Sequence, residues 1–197
     1  MKNPDLLLYA AHVIFWASFG ATRMLLRRDA APAESAATTS QEFTAPFSRT
    51  VLAFHMLGFA VLYFGIGNAV LPRRVPEWFG GQRIAGALVI AAGGVLMSWA
   101  VASFHSWRFR AKLDQGHELA TNGAFALMRH PIYTGINLLA LGSAIWVPTV
   151  IVWSGFVLLA LGSELRARSE EHLLRRAFGE RYADYTKRTK RFIPGIY

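Results

Sequence analysis

The sequence predicts an all-α fold, an integral membrane bundle of about five transmembrane helices, and three observations carry that reading. Of 197 residues, 53% are apolar and only 17% charged, too few charges for an ordinary soluble domain of this size. The charges are also segregated, leaving residues 6–22, 50–72 and 84–107 without any Asp, Glu, Lys or Arg. Each run is long enough to cross roughly 30 Å of hydrocarbon as a helix rising about 1.5 Å per residue. A fourth uncharged run, residues 131–163, is too long for one span and is interrupted at Val147-Pro148, so the last two segments form a helical hairpin.

The first apolar run could serve as a signal peptide. However, Lys2 is offset by Asp5, and Arg23, Arg27 and Arg28 follow the run as a stop-transfer signal does, so it reads as a membrane helix. Residues 28–49 are rich in Ala, Ser, Thr and Pro, have little to bury, and read as a loop. The second span holds His55 and Asn68, polar groups that face other helices in lipid and most simply make interhelical hydrogen bonds. Its Gly65-Ile66-Gly67 is half of a dinucleotide fingerprint, with neither the third glycine nor a preceding strand. The third span carries Gly86, Gly93 and Gly94, small residues that let membrane helices approach closely. Trp78, Trp99, Trp107 and Trp146 fall near segment ends, where indoles anchor at the interface.

Residues 106–128 are polar and punctuated by glycine, as expected of a stretch on the membrane face. After the hairpin, residues 164–190 show helical periodicity through Leu174, Phe178, Tyr182 and Tyr185, which predicts a cytoplasmic amphipathic helix lying along the interface. The chain divides into a membrane anchor of three transmembrane helices, residues 1–105, and a catalytic region, residues 106–197.

The absence of cysteine excludes disulfides and thiolate chemistry. A formal charge of +9 could suggest nucleic acid, but the bias of Lys and Arg toward the cytoplasm accounts for it better. Under the five-segment arrangement 17 of the 21 Lys and Arg share one side, and Lys2, Arg73, Arg74 and Arg83 lie on the other. The N-terminus is then outside and the C-terminal region cytoplasmic.

Arg129-His130-Pro131 draws the chemistry together. Proline disfavours helix just before itself and suits the first turn after it, so a helix starts at Pro131. Its free N–H groups and positive dipole end can face an anion, with Arg129 and His130 beside them.

Four patterns in order carry a family resemblance. They are His117-x-Leu119-x-Thr121-x-Gly123, Arg129-His130-Pro131-x-Tyr133-x-Gly135, Arg166-x-Arg168-x-Glu170-Glu171 and Phe178-Gly179-x-x-Tyr182-x-x-Tyr185. Following several spans, this set closely resembles the isoprenylcysteine carboxyl methyltransferases, membrane enzymes that use S-adenosylmethionine. The resemblance implies that His117, Glu118, Leu119, Ala120 and Phe125, with His130, Pro131, Ile132, Tyr133 and Glu170, bind the cofactor. It implies that Arg166 holds the acceptor, a lipophilic substrate entering from the bilayer, most like the carboxylate of a prenylated cysteine. Phe125 stands where the family usually has Tyr, and Arg110 near a position where some members have Gln.

The chemistry of these residues fits such roles. S-adenosylmethionine carries a sulfonium, an ammonium and a carboxylate, so its site needs both signs of charge, and Arg166 suits a two-pronged grip on a carboxylate. Plainer readings stand beside these: Arg166 and Glu170, four apart on one helix, can be a surface ion pair worth about 0.3 to 0.5 kcal/mol, and His130 can be a helix cap. No His or Glu spacing suits a metal ion. Two alternatives remain, a phospholipid amine or small thiol as acceptor, and a sterol-reductase-like NADPH oxidoreductase suggested by the ending Ile193-Pro194-Gly195-Ile196-Tyr197.

Overall fold

The computed structural model describes residues 3–29, 48–103 and 119–197. Every regular element among them is helical: α1 (Leu7–Asp29), α2 (Ser48–Val70), α3 (Gln82–Ala102), the short α4 (Ala124–Leu127), α5 (Pro131–Trp146), α6 (Val150–Phe178) and α7 (Glu180–Arg188). Four of them, α1, α2, α3 and α6, are long and apolar enough to cross a membrane. The fifth predicted segment is α5, which at 16 residues reaches only about 24 Å. The chain is a multi-pass membrane protein built as a helical bundle.

Two seams of small residues hold the bundle. Helix α3 packs on α5 and α2 on α6, while α5 joins α6 and α1 lies against α3. On the first seam, a Cβ at Gly86 would stand 2.6 Å from the Gly142 carbonyl, and one at Gly93 would stand 2.7 Å from the Gly135 carbonyl. On the second, a Cβ at Gly155 would stand 2.6 Å from the Leu62 backbone, and Gly58 and Gly162 face Leu159 and His55. Lipid tails do not drive helices together as water does, so such close backbone approach supplies the dispersion contacts that do.

The first seam also sets depth. Both of its helices run antiparallel, with Gly93 opposite Gly135. Beyond this pair, α3 continues nine residues to Ala102, whereas α5 reaches its start at Pro131 in four. The N-terminus of α5 is therefore sunk about 7 Å below the end of α3.

Polar groups tie the two ends and the middle. At the end opposite Pro131, Asp5 accepts from Arg83 Nε at 2.7 Å and from Trp146 Nε1 at 3.0 Å. Trp146 is thus not an interfacial anchor: it is 5% exposed, its indole serving a carboxylate inside the bundle. Gln82 donates to the Pro76 and Trp146 carbonyls at 2.8 and 3.0 Å. In mid-bundle His12 joins Tyr63 Oη at 3.0 Å to Ser143 Oγ at 2.8 Å, linking α1, α2 and α5.

The hairpin turns at Val147-Pro148, and Thr149 caps α6 by accepting from the Val152 N–H at 3.3 Å. From there α6 runs unbroken to Phe178. The sequence expectation of a separate interfacial helix from Glu164 is corrected, because α6 passes straight through that point and stops only at Gly179, where φ is +51°. The amphipathic element is the nine-residue α7, which buries Tyr182 and Tyr185.

Candidate active site

At the sunken end of α5, His130 takes a non-helical N-cap conformation, with φ of −126° and ψ of 57°, and Pro131 occupies the first helical position. Thr134 N–H bonds back to the His130 carbonyl at 3.1 Å, so the amides of Ile132 and Tyr133 have no partner within the helix. The last residues of the chain lie alongside: Arg129 N–H donates to the Lys190 carbonyl at 2.8 Å, and His130 N–H to the Arg191 carbonyl at 3.0 Å.

Tyr133 projects from the first turn of α5 between two side chains of α6. Its hydroxyl donates to Glu170 Oε1 and accepts from Arg166 Nε at 2.9 Å. The Arg166 guanidinium also lies 5.5 Å from the Tyr133 ring centroid. Arg166 Nη2 stands 3.8 Å from Glu170 Oε1, an i,i+4 ion pair too long for a direct hydrogen bond, and the Tyr133 hydroxyl bridges the two side chains. Glu170 Oε2 is 3.7 Å from His130 Nδ1, and the His130 and Tyr133 rings stack at 5.7 Å. The structure therefore brings together Arg166, Glu170, His130, Pro131 and Tyr133, with Ile132 half-buried in the same turn.

Glu171 is the larger charge centre. At 2% exposure it accepts from Arg129 Nε at 3.0 Å, from Arg191 Nε and Nη2 at 3.0 and 2.9 Å, and meets His130 Nε2 at 3.3 Å. Arg129 Nη1 reaches the Thr189 carbonyl, and Arg191 Nη1 reaches Glu164 at 2.8 Å and Tyr197 Oη at 3.0 Å. The bidentate Glu171 carboxylate raises the Arg191 pKa above its ordinary value. Burial likewise pushes the Tyr182 phenol up and Tyr185 up to about 12, and Tyr185 Oη donates to the Phe125 carbonyl at 2.6 Å.

Sequence reasoning gave Glu171 and Arg191 no role. Glu171 stood inside a quoted motif, next to the glutamate that received the assignment. The pairing of the C-terminal stretch with residues 128–130 is non-local and leaves no periodicity to read. Phe125 contributes its backbone carbonyl to the anchoring of α7. Leu119 and Ala120 are half-buried residues without regular structure before α4, while His117, Glu118 and Arg110 lie outside the described residues. Gly123, entering α4, has φ of +59°, and a Cβ there would stand 2.1 Å from Ser103 Oγ, so this loop is seated directly on the end of α3.

Comparison with known proteins agrees with this architecture. The family model described as phospholipid methyltransferase matches residues 82–181, from the start of α3 into α7. A probable protein-S-isoprenylcysteine O-methyltransferase of Oryza sativa subsp. indica is 28% identical over 145 residues, covering 71% of this chain and 74% of the relative. The protein-S-isoprenylcysteine O-methyltransferase of Dictyostelium discoideum is 35% identical over 83 residues, 41% of this chain and 35% of its own. Protein-S-isoprenylcysteine O-methyltransferase B of Arabidopsis thaliana is 27% identical over 95 residues, 44% of this chain and 45% of its own. With a membrane bundle, a cluster of polar side chains at the head of α5 and a family match across half its length, this chain belongs to the phospholipid methyltransferase family and is a membrane methyltransferase.

Proposed function

We propose that the chain transfers the methyl group of S-adenosylmethionine to the carboxylate of an S-prenylated cysteine presented from the bilayer. The observation that carries this reading is the Arg166–Tyr133–Glu170 constellation at the head of α5. The residues suit the cofactor's mixed charge. Glu170 offers a carboxylate for its cationic groups, the Ile132 and Tyr133 amides with His130 offer donors for its carboxylate, and the His130–Tyr133 stack offers a ring face. His117, Glu118, Leu119, Ala120 and Phe125 complete the proposed pocket from the preceding segment.

S-adenosylmethionine supplies an electrophilic methyl group on a sulfonium. Arg166, held through Nε by Tyr133, has its Nη groups left to grip the acceptor carboxylate and align one oxygen with that methyl carbon. As C–S breaks and C–O forms, the positive sulfonium and negative carboxylate both become neutral, so a recess that excludes water favours transfer and no general base is needed. The charge distribution along the chain supports a cytoplasmic pocket with the N-terminus outside.

The test is calorimetric S-adenosylmethionine binding and methyl transfer by the detergent-solubilised protein. Glu170→Ala should lose binding, and Arg166→Ala should bind normally yet fail to methylate a prenylcysteine. Unchanged turnover in either variant overturns the reading. The family model's own description favours a phospholipid amine as second reading; that product would keep its label in base, whereas a methyl ester would release it.

A further inference from the structure

The stretch that follows α7 returns below the head of α5. The Phe192 carbonyl accepts from Thr134 Oγ1 at 3.1 Å, one residue from Gly135, and Gly135 faces Gly93 across the α3–α5 seam. From Gly93, α3 runs on through Trp99 to Ala102 without a charged side chain. Phe192 therefore sits about 10 Å inside the end of α3 and below the level of Trp99. Tyr197 reaches deeper. Its hydroxyl donates to Glu164 Oε1 at 2.9 Å, and Glu164 lies about 10 Å down α6 from Glu171, which is level with His130.

The backbone suits that depth, because polar groups without water must be satisfied inside the chain. Phe192 and Ile193 N–H meet the Tyr197 backbone oxygen at 2.7 and 2.6 Å, and Ile196 and Tyr197 N–H each meet the Ile193 carbonyl at 3.1 Å. Pro194 has no N–H, so among the described residues Gly195 alone in this turn lacks a backbone bond. Arg191 Nη1 and Tyr197 Oη turn inward onto Glu164, while Ile193 and Ile196 turn outward, 49% and 76% exposed. Arg188 and Lys190, which precede the turn, are exposed as well. We propose that residues 191–197 seat in the lipid leaflet on the α5-head side, with Ile193 and Ile196 among the acyl chains and Arg188 and Lys190 at the phosphates above them. A soluble partner would have to enter below Trp99 to cover the same side chains, so the depth selects lipid. The same stretch carries Arg191 to Glu171 and pairs with Arg129 and His130, so its seat in the leaflet helps to hold the head of α5 in place.

The chain has no cysteine, so a single introduced cysteine takes a nitroxide label at one place only. In phospholipid nanodiscs, a label on Ile196→Cys should collide with oxygen and be shielded from a water-soluble nickel chelate. Val95→Cys, at a side chain 71% exposed on α3 beside Gly93, should behave the same way. Ala177→Cys, exposed on α6 about 9 Å beyond Glu171, should show the reverse. A label at 196 that the chelate reaches as freely as at 177 places the stretch in water and overturns the proposal. So does a label that neither reagent reaches, the mark of a protein partner or a second copy. In the same nanodiscs Ile196→Glu should speed hydrogen exchange in peptides covering 128–130 and 189–197 about tenfold, since a charge in lipid is costly, while Ala177→Glu leaves it unchanged. Unchanged exchange in Ile196→Glu also overturns the proposal.

Discussion

Glu170 and Glu171 are neighbours in sequence with separate tasks, and isosteric substitution separates them. Glu171→Gln keeps the volume of a side chain that is 2% exposed and removes the charge that holds Arg129 and Arg191, whose side chains are themselves only 11% and 16% exposed. Removing one partner of a buried ion pair costs about 3 to 5 kcal/mol, because the remaining charge stays desolvated without compensation. The expected consequence is release of the stretch from Thr189 to Tyr197, whose backbone pairs with Arg129 and His130. Hydrogen exchange read by mass spectrometry measures it. A loss of about 3 kcal/mol corresponds to roughly a hundredfold faster exchange in peptides covering 128–130 and 189–197. Glu170→Gln, at a residue 31% exposed by side chain, should leave that exchange unchanged and weaken methyl-donor binding instead. If Glu171→Gln exchanges like wild type, the buried charge cluster is not what docks the C-terminal residues.

Tyr133→Phe removes a hydroxyl shared by Arg166 and Glu170; hydrogen bonds to charged groups are worth about 1.5 to 3 kcal/mol, so kcat/KM should fall about 10- to 100-fold with little change in melting temperature. Gly142→Ala places a methyl 2.6 Å from the Gly86 carbonyl and should destabilise the bundle by about 1 to 3 kcal/mol, whereas Gly20→Ala, with nothing within 4 Å, should be neutral or slightly stabilising in thermal melts. Tyr185 has its pKa raised from 10.0 to about 12, so the fold favours the neutral phenol. Its contribution is complete below about pH 10 and lost as pH rises toward 12, which proteolysis of α7 across that window should report.

Charge segregation alone located the spans, because a charged residue in lipid is costly enough to leave a visible gap. Val147-Pro148 and Pro131 marked the hairpin turn and the head of α5, since proline acts through local sterics that need no partner. The continuity of α6 was not legible. Its apolar half and its charged half share the same helical period, and nothing at Glu164 signals either a break or its absence. Trp146 misled for another reason: an indole near a span end suits an interface, and its true partner, Asp5, is 141 residues away. Separation in sequence also hid Glu171, whose guanidinium partners lie 42 residues before it, at Arg129, and 20 after it, at Arg191.

The unbroken α6 is what lets one helix serve both pocket and closure. Successive residues on a helix point about 100° apart, so Arg166 and Glu170 share one stripe and Glu164 and Glu171, two turns apart, share another. The first stripe faces Tyr133; the second faces Arg191 and holds the C-terminal stretch against the head of α5. A helix that bent at Glu164 to lie along the interface would carry Glu170 and Glu171 away from His130. The glycine seam with α2 prevents this by continuing to Gly162, four residues below Arg166, and fixing the direction in which α6 leaves the bundle. The position of Arg166 is therefore decided by packing inside the membrane, and substitutions on that seam should alter acceptor use before they alter the charge cluster at Glu171.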